Sequence, residues 1–540
     1  MQRAAYELAF NALKYQELLE TILLDSSFYL TQPLPDDQMS LVVVILYDLQ
    51  ERKFVPRKCD WDEFIKDVRD VELHLDRFAS KFAASLARWR IKHELVSIEC
   101  MLPENVRIKQ ERASSLMLYA WVNSLKSSLD EVHGVLGRAG FSRMRSIGQL
   151  QGKTYCQDPH CEDILVFPVQ MKAQLDCTNL LSNHKLIVQD KACCVGPNAA
   201  CRLLQEAKNG DVLMAGCFSG LTVSHTASLI SLKQKSAGND KSTVFMCVGD
   251  RTEAQRENLQ RVVNTMGCKN VKLIPGDFHS LDRRSKQYQK VRVILLAPKS
   301  SLSAISNPME FILQEDGDTD LLQDLARGSI AKSKLESLVL QQKKDIDHAM
   351  QFPKILSVIY TTYSSHPEEN EEVVRAVFEQ ARACGENGGS QTSLSPFSSP
   401  LDSKDQFFKL DPTQHNNGCF MAIFTREAPH DVKDAAADLP ADGKKTGKSQ
   451  RKKSQSSHSV RLIRREAKTN GSSTSIKKTS VPSPKVKESA EVLLARITSR
   501  DSQKSRNLST WRKLTAGVIL LFMVFTFHLR LRQRSKSPLT

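Results

Sequence analysis

The sequence predicts an α/β protein: a mostly parallel sheet with helices on both faces, preceded by a helical region and a small αβ module. Three observations carry that prediction. Between residues 200 and 430, short apolar runs alternate with segments of helical periodicity, the pattern of βαβ units. Several of those runs end on Gly or Asp, where an open parallel sheet places its ligand. The first 140 residues instead carry long helical spacing with few breaks.

Taken in order, Phe64 to Glu94 has apolar residues at helical spacing and neither Gly nor Pro, and Pro103 ends the helical pattern that follows. LYAWVN at 118–123 reads as a strand. A helix then starts near Ser128, with Asp130 and Glu131 in its first turn, and closes at Gly140. The larger sheet is expected from Val212–Met214, Thr243–Val248, Asn270–Ile274, Val291–Leu296, Ile355–Thr361 and a late strand at Phe420–Phe424. A helix over RTEAQRENLQRVVNTMG stops at Gly267, and another begins near Glu368. ENGGSQTSLSPFSSPLDSK, from Glu386, reads as a surface insertion. The expected organisation is a helical region over 1–110, a small αβ module over 111–195, the sheet domain over 196–430, a basic disordered tail over 431–510 and a hydrophobic segment with basic flanks over 511–540.

Charge narrows the function classes. The 540 residues carry a formal net charge of +15. Residues 431–540 hold 25 Lys and Arg against 8 Asp and Glu, a net of +17, so residues 1–430 stand at −2. That excludes a folded surface that is basic throughout. The paired basic residues of the tail, such as Arg451-Lys452-Lys453 and Arg464-Arg465, suit nuclear import or nonspecific phosphate contact. Interleaved aromatics for base stacking are missing there. Within the tail, Leu514 to Leu529 is a 16-residue apolar run between basic residues. A span needs about 20 residues, so a short tail anchor and a packed terminal helix both stand as readings. MQRAAYELAFNALKYQ does not read as a signal peptide. With thirteen cysteines, an odd number, the expectation is reduced thiols in an intracellular protein, nuclear or cytoplasmic. Cys156 and Cys161 with His160 have no second pair at matching spacing, so no metal is expected.

The chemistry-bearing pattern is Val244-Phe-Met-Cys-Val-Gly-Asp250, then a helix, then Gly276-Asp277. Asp250, ending the second strand, can accept hydrogen bonds from both ribose hydroxyls of a nucleoside. Asp277, ending the third, can reach the exocyclic amine of an adenine. The loop from Gly216 to Gly220 after the first strand lets backbone approach a ligand. Together they describe an S-adenosylmethionine pocket on a Rossmann-like sheet. The competing reading of Asp250 is a solvated helix cap.

At this point the residues resemble a known family, the Sun-domain (NOL/NOP/Sun, RsmB-like) RNA cytosine-5 methyltransferases, and a divergent branch of it. Roughly residues 115–427 are similar, with weaker likeness back to residue 1. AWVNSLKSSLDEV looks like the family's R-x-N-T-L-K-x-x-x-E-E-V element, with Asn123 kept. LIVQDKACC is similar to its Q-D/E-x-S/A entry. VGDRTEAQRENLQRVVNTMGCKNV resembles its ribose-binding strand and helix, and TTYSSHPEENEEVV its T-C-S-x-x-P-E-E-N-E-x-V-V signature. HNNGCFMAIFTRE looks like its closing strand. The resemblance implies a class I methyltransferase domain, RNA as partner and S-adenosylmethionine as cofactor. It also implies two cysteines, one attacking cytosine C6 and one assisting release of the product. Here the first position is Tyr363. The D-A-P-C-S-G strand end reads LLAPKSSL, which puts Lys299 or Ser300 at the second position. Of the family's D-x-C-A-A-P-G-x-K-T loop only Gly220 is clearly kept, and the acid for the methionine amine is gone. A phenol with a reference pKa near 10 replaces a soft thiolate poorly. The expectation is therefore the family fold with impaired chemistry; the alternative is a pseudoenzyme that binds RNA or a protein, with membrane attachment as a further reading.

Overall fold

In the computed structural model, the described residues are 2–426 apart from 33, 58–64, 208–209, 238–241, 316, 318, 387–396 and 399–406. The basic tail, the apolar run at 514–529 and most of the Gly/Ser/Pro-rich insertion lie outside them. Among the described residues, no helix is long and apolar enough to cross a membrane.

The chain opens with helices α1 (Gln2–Lys14), α2 (Gln16–Asp25), α3 (Phe28–Thr31), α4 (Met39–Glu51), α5 (Lys66–Asp76), α6 (Ala79–Lys92) and α7 (Glu104–Ser115). The stretch that reads as continuously helical from Phe64 to Glu94 is two helices, α5 and α6. Phe78, between them, turns its ring into a cluster with Phe28 and Phe82. Burying that aromatic at the junction sets the break without Gly or Pro.

The small module holds more than the strand and helix that the sequence indicates. Strands β1 (Leu118–Val122), β2 (Ser142–Met144), β3 (Thr154–Gln157), β4 (Ile164–Phe167) and β5 (Leu186–Val188) form one sheet in the order β2-β3-β4-β1-β5. Helices α8 (Leu129–Arg138) and α9 (Lys172–Asp176) accompany them. Ser128 caps α8 by accepting from the Glu131 amide at 3.1 Å.

From α10 (Lys191–Glu206) the chain builds the larger sheet. β6 (Asp211–Gly216), α11 (Gly220–Ala237), β7 (Val244–Cys247), α12 (Glu253–Met266), β8 (Val271–Ile274) and β9 (Val291–Ala297) follow. Then come α13 (Pro308–Glu315), α14 (Leu322–Arg327), α15 (Lys332–Met350), β10 (Ser357–Thr362), α16 (Glu371–Glu386), β11 (Phe397–Ser398), β12 (Phe407–Leu410) and β13 (Cys419–Arg426). The order is β11-β13-β10-β9-β6-β7-β8, with β6 to β10 mutually parallel and β13 antiparallel to β10. Alternate residues feed two cores. Val212, Met214, Val293 and Leu295 face one cluster; Leu213, Ala215, Ile294 and Leu296 face the other. Burial on both faces is why these strands read as unbroken apolar runs. The order in which strands are added reverses at the β6/β9 pair, so the carboxyl ends of β6, β7, β8, β9 and β10 form the edge where such a sheet places a ligand.

Candidate active site at the carboxyl ends of the strands

The edge over β6, β7 and β8 carries the expected nucleoside residues. Asp250 and Asp277 are both exposed, and among the described residues neither carboxylate has a hydrogen-bond or ion-pair partner. Their strand ends touch: a Cβ on Gly249 would collide with the Asp277 backbone nitrogen. Both acids bear on Cys247, whose thiol is pushed up to about 12, chiefly by burial and then by these two charges. Thr252, not Asp250, caps α12, with Gln255 closing a capping box. The helix therefore does not use the Asp250 carboxylate, which stays available to a ligand.

The loop after β6 is held tightly. Gly216 has φ +108, and a Cβ there would strike the Ala297 carbonyl. The Cys217 amide donates to the same carbonyl at 2.7 Å. The Arg251 guanidinium donates to the carbonyls of Gly216, at 3.2 Å, and Phe218, at 2.6 Å. A protein cation thus lies across the loop, and Gly220 opens α11 immediately behind it. These residues suit the base and ribose of an adenosyl group. Met214, which the motif resemblance aligns with the acid for a methionine ammonium, is buried and apolar.

The ends of β9 and β10 hold the positions of the two family cysteines. Tyr363 is buried, its ring 4.9 Å from Phe311 and inclined at 65°, and its hydroxyl bonds to Cys193. Burial, followed by the influence of Cys193 and Glu315, raises the phenol well above its usual value. Burial likewise keeps the Cys193 and Cys194 thiols high and pushes Cys419 up to about 12. Ser300 is buried and its Oγ accepts from the Tyr363 amide at 3.4 Å. Lys299 is exposed, and its carbonyl accepts from Gln342 at 3.0 Å. Around them Ser301, Ser303 and Ser364 interlock through hydroxyl contacts of 3.0 to 3.2 Å. Glu369, fully buried, accepts from the Ser301 amide at 3.0 Å and Gln342 at 2.9 Å; its Oε2 is buried without a partner.

Two parts of the site escaped sequence reading. Arg251 sits beside Asp250 but reads as the start of a helix. A buried polar network joins Gln189, Ser219, Thr222 and Glu315: the Glu315 carboxylate accepts from all three at 2.6 to 3.1 Å, and burial raises it to about 7. Trp121 extends it by donating to Gln189 at 2.8 Å, and so the small module is tied to the cofactor-side loop. Only QDKACC hinted at this, through Gln189. Asn123, noted for its motif, is a staple: its amide donates to the carbonyls of His184, at 3.2 Å, and Met266, at 3.0 Å.

A doubly covered parallel sheet with antiparallel pairing through β13 at one side, acids at the ends of β7 and β8 and a glycine loop after β6 define a Rossmann-like class I methyltransferase domain. The chain is similar to the NOL1/NOP2/Sun-domain family along most of its length. Residues 116–189 match the ferredoxin-like domain of NOL1/NOP2/Sun domain family member 5. The "Putative methyltransferase NSUN7" of Mus musculus is 41% identical over 457 residues, 82% of this chain and 61% of that protein. The chain thus spans less than two thirds of that relative's length. The "25S rRNA (cytosine-C(5))-methyltransferase NSUN5" of Arabidopsis thaliana is 24% identical over 441 residues, 79% of this chain and 66% of that protein. The crystal structure of PH0851 aligns with 78% of this chain and 89% of its own, at 17% identity and a TM-score of 0.46.

Proposed function

We propose that this protein is an RNA-binding member of the Sun-domain methyltransferase family that keeps the adenosyl half of the S-adenosylmethionine site and has lost the thiolate route to 5-methylcytosine. The observation that carries the reading is the setting of Tyr363. Its hydroxyl lies in the core against Cys193 and Phe311, where it can neither ionise near neutral pH nor reach a base. Lys299, at the second position, is exposed and suits a phosphate contact better than product release. Ser300 is buried and lacks a base within reach among its hydrogen-bond partners.

When bound, S-adenosylmethionine would supply a methyl group on a cationic sulfur. This chain's own residues would hold its ribose through Asp250 and its adenine through Asp277, with Gly216 and Gly220 allowing close approach. RNA as partner rests on the family and on the named activity of the plant relative. A pseudoenzyme is the form of this reading that the burial of Tyr363 favours.

Two measurements test it. Calorimetric titration with S-adenosylmethionine should give weak binding that Asp250→Ala abolishes. Incubation with labelled cofactor and total RNA should give no methyl incorporation above that of the same variant. Turnover that Tyr363→Phe removes would sink the proposal.

A further inference from the structure

A second cavity, of about 300 Å³, lies away from the strand ends, between α1, α4 and α7 on one side and the start of α13 on the other. Lys14 and Lys109 line it from α1 and α7. Neither is paired with an acid. Lys14 donates to neutral oxygens, Asn11 at 3.0 Å and Gln110 at 3.3 Å. Among the described residues Lys109 has no hydrogen-bond or ion-pair partner, and Arg112 adds further repulsion. Burial brings both amines down to about 8. The acid lining the cavity, Glu7, is taken by Arg3 at 3.2 Å, and Arg3 also holds Glu310. Two cations therefore face the cavity without a protein counter-charge, an arrangement that costs stability unless a ligand supplies the anion.

The walls indicate what the anion belongs to. Tyr15 and Tyr47, stacked at 5.6 Å and 12°, make a rigid side. The first turn of α13 closes the other side, and Asn307 caps it by accepting from the Glu310 amide at 3.2 Å. The positive end of that helix dipole reinforces the two lysines. About 300 Å³ is the lower end of the range for small-ligand sites, enough for one nucleotide and not for a folded partner. The cavity is also wired to the reactive edge. The loop from Ser300 to Asn307 runs from the end of β9 to the cavity wall, and within it the Ala304 amide donates to the Tyr363 carbonyl at 3.1 Å.

We propose that this cavity is a phosphate subsite for single-stranded RNA, in which Lys14 and Lys109 grip one nucleotide of the strand whose neighbour lies over the ends of β9 and β10. It rests on the RNA reading above but not on cofactor binding.

The test uses the full chain and a fluorescent single-stranded RNA of about a dozen nucleotides, with anisotropy followed over a salt series. The Lys14→Met, Lys109→Met double variant keeps the stems and removes both charges. Losing one phosphate contact makes the slope of log K against log salt shallower by ~0.7, so the double variant should be shallower by that amount and bind more weakly at low salt. Its thermal midpoint should be equal or higher, because two half-buried cations that repel nearby charge are removed. An unchanged slope and affinity in the folded double variant would overturn the proposal. Uridine 5′-monophosphate and inorganic phosphate are competitors in separate arms. Displacement of RNA by the nucleotide supports the subsite; saturable binding of either small anion, lost in the double variant, with no change in the RNA slope would assign it to a free anion and overturn the RNA claim. Loss of calorimetric S-adenosylmethionine binding together with an intact slope difference would remove the cofactor reading and leave this one standing.

Discussion

Tyr363 and Glu315 are two buried groups whose surroundings set opposite roles. Tyr363 fills space between Phe311 and Cys193, so its ring matters and its hydroxyl contributes little. Tyr363→Phe should cost about 1 kcal/mol, the loss of one hydrogen bond, and Tyr363→Ala about 3–5 kcal/mol through the cavity it leaves. Urea midpoints of the two variants check this, and a Phe variant as damaged as the Ala variant would mean the hydroxyl anchors the site. Glu315 is different because it titrates. Its carboxyl stands at about 7, raised from 4.5 by burial. Between those values the folded chain holds a proton that the unfolded chain has released. The contribution of Glu315 to stability is therefore fully present below about pH 4.5 and is lost as pH rises to about 7, by ~3 kcal/mol in all. Glu315→Gln should remove that slope. Measured by urea unfolding at pH 5 and pH 8, the native chain should lose a few kcal/mol more than the variant between the two; equal losses would show that the carboxyl does not titrate there.

The elements around the site are pinned by contacts between strand ends. Gly216, Cys217 and Ala297 lock β6 to β9, and Arg251 at the head of α12 clamps the loop that follows β6. Hydrogen bonds from a charged donor are worth about 1.5–3 kcal/mol. Arg251→Ala should therefore free the loop, and exchange of the Cys217 amide should quicken by about tenfold or more, while amides inside β7 keep their protection. Uniformly faster exchange through β7 would point to general destabilisation instead of a clamp. Legibility followed the same division. The parallel strands were readable because local pattern dictates them, as apolar runs buried on both faces; the cap of α12 was not, since Asp250 offers itself as a cap while Thr252 with Gln255 makes it. β2, β3 and β5 were not, since three or four residues cannot show a period of two. The burial of Tyr363 was equally hidden, because it depends on Phe311 and Cys193, which are distant in the chain and meet only through α13 and α10.

At the scale of the whole molecule, charge is unevenly distributed along the chain. The motif residues Asp250 and Asp277 were legible because they follow strand ends; Lys14 and Lys109 were not, because only the packing of α1 against α7 and α13 removes them from other charges. On the RNA reading proposed above, the +17 of residues 431–540 is the larger reservoir of positive charge, and the −2 body would contribute through a few placed lysines. Removing residues 431–540 tests that division. If the tail neutralises on the order of six phosphates, its loss should make the salt slope for single-stranded RNA shallower by about 4. The thermal midpoint of the remaining chain should stay within about 2 °C, since its four apolar clusters lie within residues 9–424. Removing the two lysines from the shortened chain should then take away a further ~0.7 of slope. A shortened chain with an undiminished slope would place the RNA contacts on the folded body despite its net negative charge. One with no residual slope would leave the lysine cavity without an RNA role.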